Sequence, residues 1–158
     1  MRVLVQRVSK SSVSVNGQLI ASIGNGMLLL VGFEESDTSE DIAWMTAKLT
    51  KLRIYDDSNG VMNLSIQDVD GELIIVSQFT LHAQTKKGSR PSYIKAARPE
   101  QAIPLYQEFI SAMEKELGKP VQTGEFGAEM MVELVNDGPV TIWIDSKQNN
   151  KLNFSSSK

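Results

Sequence analysis

SVSVNGQLIASIGNGMLLLVGF, residues 12 to 33, reads as three strands joined by two tight turns. Val13 and Val15 alternate with Ser12 and Ser14, the two-residue period of a strand with one buried face. Asn16-Gly17 supplies the pair favoured in a two-residue hairpin turn, where both central residues take positive φ. Leu19 to Ile23 returns, Gly24-Asn25-Gly26 turns again, and Met27 to Phe33 is apolar enough for a central strand. Antiparallel strands are therefore expected as the base of the fold.

The pattern then changes period. Thr38 with Asp41 three residues on resembles a capping box, and Ile42, Met45, Leu49 and Leu52 fall on one helical stripe. A short strand is expected at Arg53 to Tyr55, ended by the turn-forming Asp56-Asp57-Ser58-Asn59-Gly60. Glu72 to Leu81 is the strongest strand in the middle of the chain, because Leu73-Ile74-Ile75-Val76 is too apolar for an edge. A second helix is expected from about Pro99 to Leu117, with Tyr106, Phe109, Ile110, Met113 and Leu117 inward and Gly118 and Pro120 stopping it. Pro104 fits such a helix only in its first turn. Two further strands are expected at Met130 to Val135 and Val140 to Ile144. The layout is one α+β domain over residues 1–145, with a polar tail at 146–158 expected to fray.

Composition narrows the chemistry. The 158 residues are 41% hydrophobic and 22% charged, ordinary values for one soluble globular domain. There is no cysteine, which excludes disulfides, thiolate metal sites and a cysteine nucleophile. No signal-like apolar core follows Met1, and the run Met27 to Val31 is far too short to span a bilayer, so a cytoplasmic, membrane-free protein is expected. The net charge of −3 argues against wholesale nucleic-acid binding. It hides a local asymmetry, however: no acidic residue lies between Glu72 and Glu100, while Lys86, Lys87, Arg90, Lys95 and Arg98 are basic. Such a window can meet phosphates, or it can be a solvated basic loop.

Conventional catalytic equipment is sparse. His82 is the one histidine and lies two residues after Thr80, yet nothing marks the third member of a triad. SQFTL, residues 77 to 81, ends an apolar strand with two hydroxyls and an amide. Strict alternation puts Ser77 and Thr80 on opposite faces, so both can line one pocket only if the strand bulges or turns there. Such a break also frees backbone N–H groups, which can stabilise an oxyanion. The alternative is a polar strand end facing water. In NDGPVT, residues 136 to 141, Gly before Pro removes a side-chain clash and leaves a rigid kink with exposed carbonyls. An ordinary turn before an edge strand uses the same residues.

The two stretches together resemble the signature motifs of the D-aminoacyl-tRNA deacylases, also called D-tyrosyl-tRNA deacylases. The resemblance runs from Met1 to about Asp145 and includes MRVLVQRV at 1–8, KKGSRPSY at 86–93 and TGEFGAEMMVELVNDGPVT at 123–141. It implies a β-barrel-like α+β domain, homodimeric, with active sites at the interface. The implied activity is hydrolysis of the ester joining a D-amino acid, or mischarged glycine, to the 3′-terminal ribose of tRNA. Ser77, Gln78, Phe79 and Thr80 would line the reaction centre, with backbone amides around Gln78 and Phe79 as the oxyanion hole. Gly138-Pro139 would be cis and would reach into the partner subunit's site to exclude L side chains, anchored by Arg7. Thr80 is either a nucleophile or a bystander to assistance from the RNA 2′-hydroxyl; lacking a base, its hydroxyl is weak. Lys86, Lys87 and Arg90 would meet acceptor-stem phosphates, with Lys95 and Arg98 less clearly placed. Phe126 and Met130 either pack around the terminal adenosine or belong to the core. No metal or other cofactor is called for. The competing reading is a non-catalytic RNA-binding or dimerisation module, against which stands the lack of an aromatic-rich strand for stacking bases.

Overall fold

A computed structural model describes residues 1–148. Its frame is a nearly closed, barrel-like sheet. Strand β1 (Arg2–Val15) joins β2 (Gln18–Ile23) through Asn16 and Gly17, both at positive φ (51° and 78°), so the hairpin forms as expected. β3 (Gly26–Gly32) pairs with the first half of β1 and β2 with the second half. Helix α1 (Ser39–Lys51) begins at the expected capping box: Thr38 Oγ1 accepts from the Glu40 N–H, and Asp41 accepts from the Thr38 N–H at 2.9 Å. Ile42, Met45 and Leu49 are buried along its inner stripe.

After α1 the small hairpin β4 (Tyr55–Asp56) and β5 (Met62–Leu64) forms. The strand expected at Arg53 to Tyr55 therefore starts two residues later. The cause is the turn, where Asp57 Oδ1 accepts from the N–H groups of Asn59 (2.9 Å) and Val61 (3.1 Å) and sets the register. β6 (Glu72–Ser77) lies inside the sheet between β3 and β7 (Gln122–Thr123), which explains its unbroken apolar run. Both of its pairings are parallel, unlike the antiparallel pairings that make up the rest of the frame. A chain segment that carries a helix across the sheet delivers the next strand in the same direction.

Helix α2 (Pro99–Leu117) ends at Gly118, which takes a left-handed φ of 79°. Pro104 sits in its second turn, not in the first turn expected of it. The missing N–H leaves the Glu100 carbonyl without its helical donor, and both residues are exposed, so that carbonyl is open to solvent. β8 (Met131–Asp145) is one strand along the whole of β1 rather than two. The ladder breaks opposite Arg7, however: Gln6 faces Thr141 and Val8 faces Asn136, so residues 137–140 bulge out unpaired.

Alternation along the strands sends side chains to two cores. Met27, Leu29, Val31, Leu73 and Ile75 pack with Ile42, Met45, Phe109 and Met113 of the helices. Val8, Val13, Leu28, Ile74 and Val76 fill the other side of the sheet. Burying a side chain such as Phe109, fully enclosed here, stabilises the fold by about 1.5–3 kcal/mol. Beyond Asp145, Ser146 is buried and donates to Asp41 Oδ1 at 2.7 Å, and Lys147 Nζ lies 3.0 Å from Asp41 Oδ2. From residue 149 on, the polar tail lies outside the described residues. No helix among the described residues is long and apolar enough to cross a membrane.

Candidate active site

The end of β6 does what the SQFTL pattern requires. The strand stops at Ser77, and Phe79–His82 wind into one turn of 3₁₀ helix. The strand expected to reach Leu81 is therefore four residues shorter. The Gln78 N–H closes the sheet by donating to the Val31 carbonyl at 2.8 Å. The next two amides, Phe79 and Thr80, open the turn and have no acceptor among the described residues. Of the amides around Gln78 and Phe79, the sheet claims that of Gln78 and leaves those of Phe79 and Thr80 free. Gln78 Nε2 donates to Thr80 Oγ1 at 2.5 Å and fixes both side chains.

A residue with no sequence motif supports this turn from below. A Cβ added to Gly32 would lie 2.7 Å from the Gln78 carbonyl oxygen and 3.2 Å from Leu81 Cβ. Only glycine lets the end of β3 pass so close beneath the turn.

The turn opens onto a cavity of about 660 Å³ lined mainly by apolar groups. Ser77, Gln78 and Phe79 are on its wall, as are Phe126 and Met130. The last two also pack against the core clusters, so they join the core to the cavity wall. Thr80 is not on the wall; its hydroxyl is bonded to the Gln78 side-chain amide. Phe79 is 56% exposed and meets Tyr93 edge-on, ring centroids 5.1 Å apart. Tyr93, Ile94 and Arg98 line the same cavity. Sequence reading singled out neither Tyr93 nor Ile94, because the loop that returns them has no periodicity to reveal which way they face.

His82 is buried, and its Nε2 has no hydrogen-bond partner. Burial holds its pKa below the ordinary histidine value, outweighing the Gly32 carbonyl and Glu34, which favour the cation. It makes no bond to Thr80, so no general base activates that hydroxyl. Among the described residues no group of three or more His, Asp or Glu side chains is placed to hold a metal ion.

The second motif lies elsewhere on the molecule. The Gly138–Pro139 peptide is cis, as the resemblance implies, and both residues are exposed at the tip of the β8 bulge. Arg7 is buried beneath it, donating from Nε to the Asp137 carbonyl at 2.8 Å and from an Nη to the Ile54 carbonyl at 2.7 Å. Asn136 ties the bulge closed: its Oδ1 accepts from the Val140 N–H at 2.7 Å and its Nδ2 donates to Thr141 Oγ1 at 2.9 Å. Gly138 has a φ of 139°, and a Cβ there would lie 3.1 Å from the Arg7 guanidinium.

The two motifs do not meet within one chain. Arg2 pairs with Gly32 near the 3₁₀ turn, whereas Arg7 lies under the Gly-Pro bulge. Five residues of strand separate them, roughly 17 Å. Lys86, Lys87 and Arg90 lie on an exposed excursion closed at its base by the Gln84–Ser92 bridge, and none lines the cavity.

A mainly apolar cavity with one arginine on its wall, a turn with two free amides at its edge and no charged base suit a hydrolase that works by positioning and by polarising a carbonyl. Comparison with known proteins is more specific. A family model described as D-Tyr-tRNA(Tyr) deacylase matches residues 4–145, and the chain belongs to that family. The D-aminoacyl-tRNA deacylase of Flavobacterium johnsoniae is 63% identical over 147 residues, 93% of this chain and 98% of that protein. That of Parabacteroides distasonis is 59% identical over the same shares of both chains. The solved structure of the c-Myc DNA unwinding element binding protein superimposes with a TM-score of 0.85 at 38% identity, covering 92% of this chain and 98% of the other.

Proposed function

We propose that this protein is a D-aminoacyl-tRNA deacylase, hydrolysing the ester between a D-amino acid, or mischarged glycine, and the terminal ribose of tRNA in the cytoplasm. The observation that carries this reading is the polar turn at Ser77–Thr80: Ser77, Gln78 and Phe79 line a mainly apolar cavity, and the Phe79 and Thr80 amides have no acceptor among the described residues. An ester carbonyl placed there gains negative charge on its oxygen as water adds, and two preset N–H donors stabilise that charge. Thr80 already accepts a bond from Gln78 and has no base, which favours a water assisted by the RNA 2′-hydroxyl over a threonine nucleophile.

Selectivity for the D enantiomer falls to Gly138-Pro139. The separation of that bulge from the turn supports a homodimer in which each bulge enters the partner subunit's cavity. Its exposed carbonyls then meet the amino group, and its rigid backbone leaves no room for an L side chain. Lys86, Lys87 and Arg90 are free to meet phosphates of the acceptor stem, and Phe126 and Met130 to pack on the terminal adenosine.

The name of the solved neighbour favours a second reading, a nucleic-acid-binding module. Against it, the net charge is −3 and the exposed aromatic surface beside the cavity is a single Phe79–Tyr93 pair. Incubation with D-Tyr-tRNA, L-Tyr-tRNA and Gly-tRNA decides between them. Fast loss of the D-Tyr and Gly esters with the L ester spared is expected. No cleavage above the buffer rate would sink the enzyme reading, and equal cleavage of both enantiomers would sink the chirality filter. Sedimentation should give twice the chain mass.

A further inference from the structure

The cavity wall carries a single charge. Every residue lining it is apolar or neutral except Arg98. Arg98 is exposed and, among the described residues, its side chain forms no ion pair or hydrogen bond. Glu34 lies on the neighbouring loop but faces His82 and the Ser36 hydroxyl, and Glu100, two residues along, points to solvent. The base of the arginine is nevertheless fixed. Arg98 caps α2, and its carbonyl accepts from the N–H groups of Gln101 (2.9 Å) and Ala102 (2.8 Å).

We propose that Arg98 is a substrate-binding residue that pairs with the phosphate on the 5′ side of the terminal nucleoside. The inference rests on the deacylase reading and extends it to how the RNA end is recognised. Base and ribose are neutral and suit apolar walls such as Phe126 and Met130, and a cavity of about 660 Å³ accommodates a nucleoside ester. The linkage that leaves the cavity is anionic, and nothing else on the wall can neutralise it. A guanidinium offers two parallel donors to two phosphate oxygens, which fixes distance and direction at once. The basic excursion cannot do this, because Lys86, Lys87 and Arg90 are off the cavity wall. They are placed for phosphates farther along the strand, and Arg98 for the first one. The phosphate is remote from the reacting carbonyl, so its contact strengthens substrate and transition state alike and appears in KM rather than kcat.

The test compares Arg98→Ala with the wild-type protein on three D-tyrosyl esters: tRNA, adenosine 5′-phosphate and adenosine. For the two phosphate-bearing substrates KM should rise about tenfold with kcat unchanged, and for the nucleoside ester neither should move. Arg98→Lys should recover part of the loss. The slope of log KM against log salt for tRNA should weaken by about 0.7, as expected for one lost phosphate contact on a single strand. Binding of unesterified adenosine 5′-phosphate and adenosine, measured calorimetrically, provides an arm independent of catalysis. The nucleotide should bind more tightly than the nucleoside to the wild type and equally to the variant. An equal effect on both nucleoside and nucleotide, or no effect on either, overturns the proposal. Failure of the wild type to cleave any D ester overturns the deacylase reading instead, and the binding arm still decides the role of Arg98.

Discussion

The Ser77–Thr80 turn and the Gly138-Pro139 bulge are both breaks in a strand, but they are held in opposite ways. Backbone holds the turn: the Gln78 amide is tied into the sheet, and Gly32 fits beneath with no room for a methyl group. Side chains hold the bulge: Arg7 bonds to it from below, and Asn136 closes it across its neck. One is set back at the mouth of a cavity, the other projects into solvent. A reaction centre gains from donors that do not move, whereas an element that must dock elsewhere needs rigid anchoring and an exposed tip. Rate should therefore track the turn, and discrimination the bulge.

Arg7→Ala puts the heaviest strain on that contrast. It removes two charge-assisted bonds from a buried site and should destabilise the chain by about 3 kcal/mol, read from urea denaturation. The residual folded protein should lose preference for the D over the L ester while keeping its rate on the D ester. A variant that loses rate but keeps selectivity would break the division of labour. Gly32→Ala is the mirror case: a displacement of the turn by a fraction of an ångström to an ångström should lower kcat by about 100-fold, with the D/L ratio unchanged.

Smaller effects sharpen the picture. Asn136→Ala should cost about 1 kcal/mol and blunt enantioselectivity without slowing the D ester, as competing-substrate assays would reveal. Thr80→Val keeps the shape and removes the hydroxyl; a loss in kcat under about tenfold is expected, while near-complete loss would restore Thr80 as nucleophile. The smallest effect concerns pH. His82 ends the 3₁₀ turn, buried, with its pKa lowered by that burial, so the native state favours the neutral imidazole. Its stabilising contribution is present above the unfolded-state pKa and is lost as pH falls through the folded value. The urea midpoint should drop as pH falls below the ordinary histidine value of about 6.5, and His82→Gln should flatten part of that slope without altering selectivity.

Local signals in the chain were enough for much of this. Asn16-Gly17 dictates its hairpin, Thr38 and Asp41 start a helix, Gly118 ends one, and the hydroxyls of SQFTL mark a strand that cannot continue. Each is a short-range preference, set by φ, side-chain period or one hydrogen bond. The motifs at 77–81 and 136–141, with the flanking agreement, were likewise enough to identify the family. Tertiary structure decided the rest. That β6 runs parallel to β3, that the sheet takes the Gln78 amide and leaves Phe79 and Thr80 free, and that Gly32 underlies the turn all depend on strands distant in sequence. The same holds for the separation of the two motifs and for Arg98 as the lone charge on the cavity wall. Sequence periodicity records which face of an element is buried; which elements share that burial is chosen only when the chain packs.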